Sequence, residues 1–450
     1  MHRGESMIDV INYLNVDYLL MGNHEFDFGS DRLAELMDKS KFSWLGSNVR
    51  NSIDRSLFHT TKDIDVFAVP SVCGSEIRVG IFGVCTEMTP LLADPGDKVC
   101  FESAIDHCRR CVALLQSQGV HFIIAMTHLD LTHDFQVAEI EGIDVVVGGH
   151  DHKTVFETHS SSGTLVIKCG QDLDQLGILD ITFLDDKRTA SSWRYNFEML
   201  SIGSAEPDAE VDERISYWRN LGQGDGGDEA ICVVVGAGEE DIHHEHQHQH
   251  EHQHLSISTL TNDLRHHETA FACLIAESVK YSYRDFGCQI GIQNGGFIRR
   301  DYVYKVGTVL RASDLREELP FPRTPVLIRM TGSDIKLALE QMIARCPAPV
   351  GSFPHLSDGW NVEYDLTQPA MQRIRTITYL DAPINMEDSF LLAITDFYAD
   401  KGGDGVDAYM NREVVASHGR TVCDCALEYF RVKQTISGKL PLRFIDKSLQ

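Results

Sequence analysis

Ile143-Asp144-Val145-Val146-Val147-Gly148-Gly149-His150-Asp151-His152 decides how this chain is read: an apolar run stops on two glycines and delivers two histidines. Apolar runs of this length bounded by glycine are buried strands. Histidines two apart in the loop that follows can both turn into one site. The same construction occurs twice upstream. Val120-His121-Phe122-Ile123-Ile124-Ala125-Met126 leads into Thr127-His128-Leu129-Asp130, and Val16-Asp17-Tyr18-Leu19-Leu20-Met21 leads into Gly22-Asn23-His24-Glu25. Helical patterns lie between the runs, over 30–38 and over 103–118, the second closed by Gly119. Strands alternating with helices predict a layered α/β domain whose functional groups sit at the carboxyl ends of its strands.

A single histidine at a strand end is usually structural. Here four histidines and one asparagine fall in three loops that converge on one edge of the sheet. Imidazole nitrogen, amide oxygen and carboxylate suit divalent Zn, Mn, Fe or Co. A pair of such ions would hold an attacking hydroxide and neutralise a phosphoryl group.

The motifs resemble the calcineurin-like metallophosphoesterase family. Gly22-Asn23-His24-Glu25 matches its Gly-Asn-His-Asp/Glu motif, Thr127-His128 its single-histidine motif, and Gly149-His150-Asp151-His152 its Gly-His-x-His motif, in the family's order. The resemblance implies a layered β-sandwich flanked by helices and two divalent metal ions per site, of the Zn, Mn, Co or Fe type. It implies Asn23, His128 and His150 as ligands of the second metal and His152 as a ligand of the first. It implies that His24 contacts the phosphate without binding metal, and that Asp27 holds the orientation of its ring.

The family opens with a strand ending in Asp-x-His and a second ending in Gly-Asp, which complete the ligand set. Neither precedes Gly22, and Asp241-Ile242-His243 has the pattern only by coincidence, in a linker. Met1-His2-Arg3-Gly4 resembles the middle of the helical segment that follows Gly-Asp. The expectation is therefore a chain that starts at an internal methionine, with the first strands missing.

The chain's 450 residues exceed one typical core. The composition shifts near residue 200, and the reading is a metallophosphoesterase domain over 1–200, a linker helix and loop over 201–229, and a second domain over 230–447. A His-rich insertion over 239–256, with seven histidines from His243 to His254, has no apolar period and reads as a low-complexity loop. In the second domain Gln293-Asn294-Gly295-Gly296-Phe297-Ile298-Arg299 follows a strand-like run. With Leu319-Pro320-Phe321, Gly351-Ser352-Phe353-Pro354 and Gly402-Gly403-Asp404-Gly405, it resembles the C-terminal domain of 5'-nucleotidases.

That resemblance implies a second α/β domain that binds nucleotides. Arg265, Asn294 and Arg299 would line the pocket and Asp404 would hold the ribose hydroxyls. Phe353 and Tyr398 would sandwich the base, with Phe397 in place of Tyr398 if the spacing slips by one. Phe297, Ala272-Cys273-Leu274 and Lys401 depart from the family pattern and bear on which nucleotide is taken.

The formal charge of −27 disfavours duplex nucleic acid and anionic membrane as partners. No apolar run approaches the ~18 residues that span a bilayer. Cys108 and Cys111 read as two thiols one turn apart on a helix surface, not as a redox or zinc site. The function expected is metal-dependent hydrolysis of a nucleotide phosphoester, with a small-molecule nucleotide as substrate. The alternative is a catalytically inactive nucleotide-binding relative that lacks the first metal site.

Overall fold

The computed structural model describes residues 2–171, 173–186, 192–223, 228–235, 256–439 and 443–448, so the His-rich insertion lies outside the described residues but for Ser256. The chain forms two compact units, Met1–Gly222 and Gln223–Gln450.

Each of the three apolar runs becomes a strand. In the first unit β1 (Tyr18–Leu20) pairs in parallel with β2 (Ser43–Leu45), apart from the main sheet. The main sheet is built from β3 (Asp65–Pro70), β4 (Glu76–Cys85), β5 (Phe122–His128), β6 (Val145–Gly148), β7 (Thr154–Thr158) and β8 (Leu165–Cys169), in the order β3-β4-β5-β6-β8-β7. Its centre, β4-β5-β6-β8, is parallel. The ends of β5 and β6 therefore lie side by side, with Thr127 opposite Gly148.

Alternation along the strands decides what covers the sheet. Phe122, Val145 and Leu165 turn to one face, where they share a core with Phe183 and pack against Trp193 and Phe197 of the hairpin β9 (Gln175–Phe183) and β10 (Trp193–Ser201). Their neighbours Ile123, Val146 and Val166 turn to the other face. There they meet α2 (Ala104–Ser117) and α3 (Leu131–Ala138), while α1 (Ser30–Met37) lies earlier in the chain and packs with Met21 and Trp44. Burying one such aliphatic side chain contributes about 1.5–3 kcal/mol. A one-residue slip of β6 would exchange its two faces and forfeit that.

The two cysteines on α2 are not on the surface. Cys108 and Cys111 are fully buried against the sheet, because the apolar stripe of α2 runs through them. Burial pushes the Cys111 thiol up to about 11, and moves Cys108 in the same direction. Both are inert core residues.

After α4 (Ala209–Gln223), the second unit has a five-stranded sheet. It comprises β11 (Ile290–Asn294), β12 (Pro325–Thr331), β13 (Pro354–Leu356), β14 (Ser389–Thr395) and β15 (Glu413–Ser417), in the order β13-β11-β14-β12-β15. Leu327 and Ala393 face a core with α5 (Ala270–Ser282) and α8 (Val422–Lys433). Val326, Ile328, Leu392 and Ile394 face the opposite core, which holds α6 (Gly332–Met342) and part of α7 (Asp396–Lys401). Helices thus cover both faces of a mixed sheet. Among the described residues no helix is long and apolar enough to cross a membrane.

Candidate functional site

In the first unit the loop after β1 turns at once into a short 3-10 helix, Asn23–Phe26. The Gly22 amide donates to the Glu25 carboxylate at 2.6 Å, which closes that turn. Asn23 is buried, and its Oδ1 lies 2.9 Å from His128 Nε2 at the end of β5. The approach depends on Gly22: a Cβ there would stand 2.5 Å from His128 Cε1. His150, in the turn after β6, brings its ring to 4.9 Å from that of His128.

Burial pushes the His128 imidazole down to about 3, and the nearby His150 adds to the shift. Burial likewise lowers His150 to about 4, with Lys168 next in effect. Both rings are thus neutral at neutral pH, with lone pairs available to a cation.

His150 and His152 both have left-handed backbone, at φ 80° and φ 60°. Non-glycine residues hold that region only when their surroundings over-determine it. The structure brings Asn23, His128 and His150 together. His152 is exposed, two residues on, and within electrostatic range of His128. His24 is half-exposed, with its Nδ1 3.0 Å from the Asp27 carboxylate. His24 also lies near enough to His128 and His150 to act on both.

As a test of fit to a metal, Asn23, His128 and His150 are three neutral donors brought together at one edge, with Asn23 Oδ1 2.9 Å from His128 Nε2 and the two imidazole rings 4.9 Å apart. They fit a share of one divalent ion. Among the described residues no three His, Cys, Asp or Glu side chains form a group that could hold a metal on their own.

One residue that the sequence reading missed lies beneath this edge. Lys168 on β8 is 1% exposed and paired with Asp134 at 2.6 Å and Asp151 at 2.6 Å. The signal was a lysine inside the apolar run Leu165-Val166-Ile167-Lys168-Cys169.

In the second unit the Asn294-Gly295-Gly296 turn is laced to a neighbouring segment. Gly295 N donates to Phe353 O at 2.9 Å and Gly296 N to Gly351 O at 2.8 Å. The Asn294 amide donates to Gly351 O at 3.1 Å, and Val350 N donates to Arg265 O at 3.1 Å. A Cβ on Gly295 would meet Leu264 O at 1.9 Å, which accounts for glycine at that position. Arg265, Asn294 and the start of β13 are thereby held together. Asp404 accepts a hydrogen bond from Tyr398 Oη at 2.7 Å. Burial raises the Asp404 carboxyl, while Tyr398 and then Arg345, Arg265 and Arg299 pull it back. Arg345 is the member of this group that the sequence reading did not name. The Arg299 guanidinium also lies over the Phe321 ring, 5.1 Å from its centroid.

The rings expected to sandwich the base differ in exposure from the alternative one residue away. Tyr398 is fully buried, packed near Tyr409 and tied to Asp404. Its neighbour Phe397 is partly exposed and lies flat on Gly403, where a Cβ would stand 2.1 Å from the ring. The physical reason is that successive residues of α7 point in different directions, one into the core and one out. Phe353 is also fully buried, with its ring edge-on to His355 and Phe444.

A layered α/β unit with imidazole donors at its strand ends, followed by a second mixed-sheet unit, defines a two-domain metallophosphoesterase class. The calcineurin-like phosphoesterase family model matches residues 3–154, and the model of the 5'-nucleotidase C-terminal domain matches residues 250–411. The chain thus resembles 5'-nucleotidases over both of its units.

Human 5'-nucleotidase is 26% identical over 441 residues, covering 90% of this chain and 72% of that protein. A Naja atra snake venom 5'-nucleotidase is 26% identical over 467 residues, covering 95% and 82%. The trifunctional nucleotide phosphoesterase YfkN of Bacillus subtilis is 25% identical over 455 residues, covering 92% of this chain and 29% of that longer protein. The crystal structure of a 5'-nucleotidase precursor from Thermus thermophilus shares the fold, with a TM-score of 0.80 at 23% identity over 99% of this chain and 86% of that one. Relatives of this kind are hydrolases, and calcineurin-like phosphoesterases are in general divalent-metal proteins.

Proposed function

We propose that this protein hydrolyses a phosphoester of a nucleotide, with a nucleoside monophosphate as the substrate class. The observation that carries the reading is the pair of desolvated, neutral imidazoles, His128 and His150, with Asn23 Oδ1 2.9 Å from one of them. A bound divalent ion would supply charge neutralisation and an activated water for in-line attack at phosphorus. Asn23, His128 and His150 would hold that ion through neutral donors, and His152 would serve a second one. His24, its ring oriented by Asp27, contacts the phosphoryl oxygens and the leaving group. In the second unit Asp404 takes the ribose hydroxyls and Arg265, Asn294 and Arg299 line the pocket. Phe353 and Tyr398 take the base, with the partly exposed Phe397 in place of Tyr398 if the spacing slips by one. Arg265 and Arg299, close to Asp404, support this assignment, since they favour an anionic ligand.

A second reading, a nucleotide-binding relative without turnover, is favoured by the donor set. Asn23, His128 and His150 contribute no carboxylate to bridge two ions. One experiment separates the two. The protein is incubated with Mn or Co and a panel of nucleoside monophosphates, cyclic nucleotides and nucleotide sugars, and both phosphate release and binding are measured. Metal-dependent release from a nucleoside monophosphate is the expected result. Binding without release from any member of the panel would replace the first reading with the second.

A further inference from the structure

Three oxygens surround the ammonium of Lys168. It donates to Leu129 O at 2.9 Å and Asp134 Oδ2 at 2.6 Å, and is ion-paired with Asp151 Oδ1 at 2.6 Å. The three belong to different segments. Leu129 follows His128, Asp134 lies on α3, and Asp151 stands between His150 and His152. The other Asp151 oxygen accepts from Leu131 N at 2.9 Å and lies 3.5 Å from Lys153 Nζ. Gly148, the last residue of β6, packs on the same cluster, and a Cβ there would stand 3.0 Å from Asp134 Oδ2 and 3.2 Å from Lys168 Cε.

A buried ammonium facing two carboxylates has lost its hydration, so its geometry is strongly enforced: any departure leaves a charge buried without a partner. The turn it grips contains two non-glycine residues in left-handed backbone, and such a turn persists only when something outside it fixes it. Through Asp151 and Leu129 the same ammonium grips both strand ends that present imidazoles.

We infer that Lys168 is a positioning residue for the proposed metal site: with Asp151 as its handle, it holds the His128 and His150 strand ends in mutual register. The inference rests on the reading of Asn23, His128 and His150 as ligands. It differs from that reading in assigning the site's geometry to a side chain that touches neither ion nor substrate.

The test is a titration of the full chain with Co(II), followed by calorimetry and by the visible absorption of the bound ion, with far-UV circular dichroism as the check on folding. Lys168→Met removes the ammonium. Asp151→Asn keeps the size of the handle and removes its charge, leaving the Lys168–Asp134 pair in place. Loss of groups that orient metal ligands typically weakens metal affinity about 10- to 100-fold. The Co(II) dissociation constant is expected to rise by that factor in both variants, with an altered visible band, and Lys168→Arg is expected to recover part of the loss. If Lys168→Met does not fold, Asp151→Asn decides. A folded Asp151→Asn protein with wild-type affinity and spectrum overturns the inference and leaves the ligand reading standing. A wild-type protein that takes up no Co(II) overturns both.

Discussion

The two candidate sites, one in each unit, hold their functional groups by opposite electrostatic means. At the strand ends of the first unit the donors are neutral, because burial strips His128 and His150 of their protons, and the one buried cation beneath them is matched by Asp134 and Asp151. Around Asp404 in the second unit the groups are charged: Arg265, Arg299 and Arg345 act on a single carboxylate. A neutral, desolvated donor set suits a cation that brings its own charge. An arginine-rich set around one acid suits an anionic ligand that also carries hydroxyls. The contrast fits the proposed division, chemistry in the first unit and recognition in the second, and kinetics can separate the two roles.

The largest effect is expected at His24. His24→Ala should lower kcat for nucleoside monophosphate hydrolysis by about 10²- to 10⁴-fold, the usual worth of a positioned proton-transfer group, with KM little changed. A phosphate-release assay checks it, and an unaltered kcat breaks the division of labour. Asp404→Asn should do the reverse, raising KM about tenfold while kcat stays within a factor of a few, as expected for binding shared by ground and transition states. Equal losses in kcat would place Asp404 in the chemistry instead.

Phe397→Ala should raise KM by roughly 5- to 150-fold if one face of the base stacks there at about 1–3 kcal/mol. The same substitution compared across purine and pyrimidine substrates sharpens the assignment, and an unchanged KM removes Phe397 from the pocket.

The smallest effect is on stability. His355 is fully buried; its Nδ1 accepts from Thr269 N at 3.2 Å and its Nε2 donates to Leu264 O at 3.1 Å. Burial pushes it down to about 3. A histidine depressed in the fold costs nothing above its unfolded value near 6.5. As pH falls from there toward 3 the unfolded chain takes a proton that the folded chain refuses, so stability is lost across that window. Unfolding followed by urea at a series of pH values should show this slope, and His355→Asn should reduce it by about one proton.

Periodicity and punctuation made the first unit largely legible. Each apolar run leading into a histidine-bearing cluster became a strand, and the pattern over 103–118 became α2 with Ser103 as its N-cap, accepting from Asp106 N at 3.3 Å. Burial of particular side chains was harder to read, because it depends on what packs across the space. The sequence places Cys108 and Cys111 on a helix but not on its inner face. It shows a lysine in a strand but not that Asp134 and Asp151 arrive to meet it. Tyr398 and Phe397 differ by one residue in the sequence and by about 100° around a helix, which puts one ring fully in the core and leaves the other partly exposed at its edge. Spacing counted back from Asp404 resolves no finer than that.

The lacing of Gly295 and Gly296 onto Leu264 and Gly351 has an evolutionary consequence. Backbone meets backbone there, at 1.9 Å and 2.8 Å from any added Cβ. Three segments far apart in sequence are thus welded into one frame that tolerates almost no change in itself. Drift in such a lineage is channelled outward, to the side chains mounted on the frame. Ligand preference can then diverge by single substitutions while the backbone beneath stays fixed.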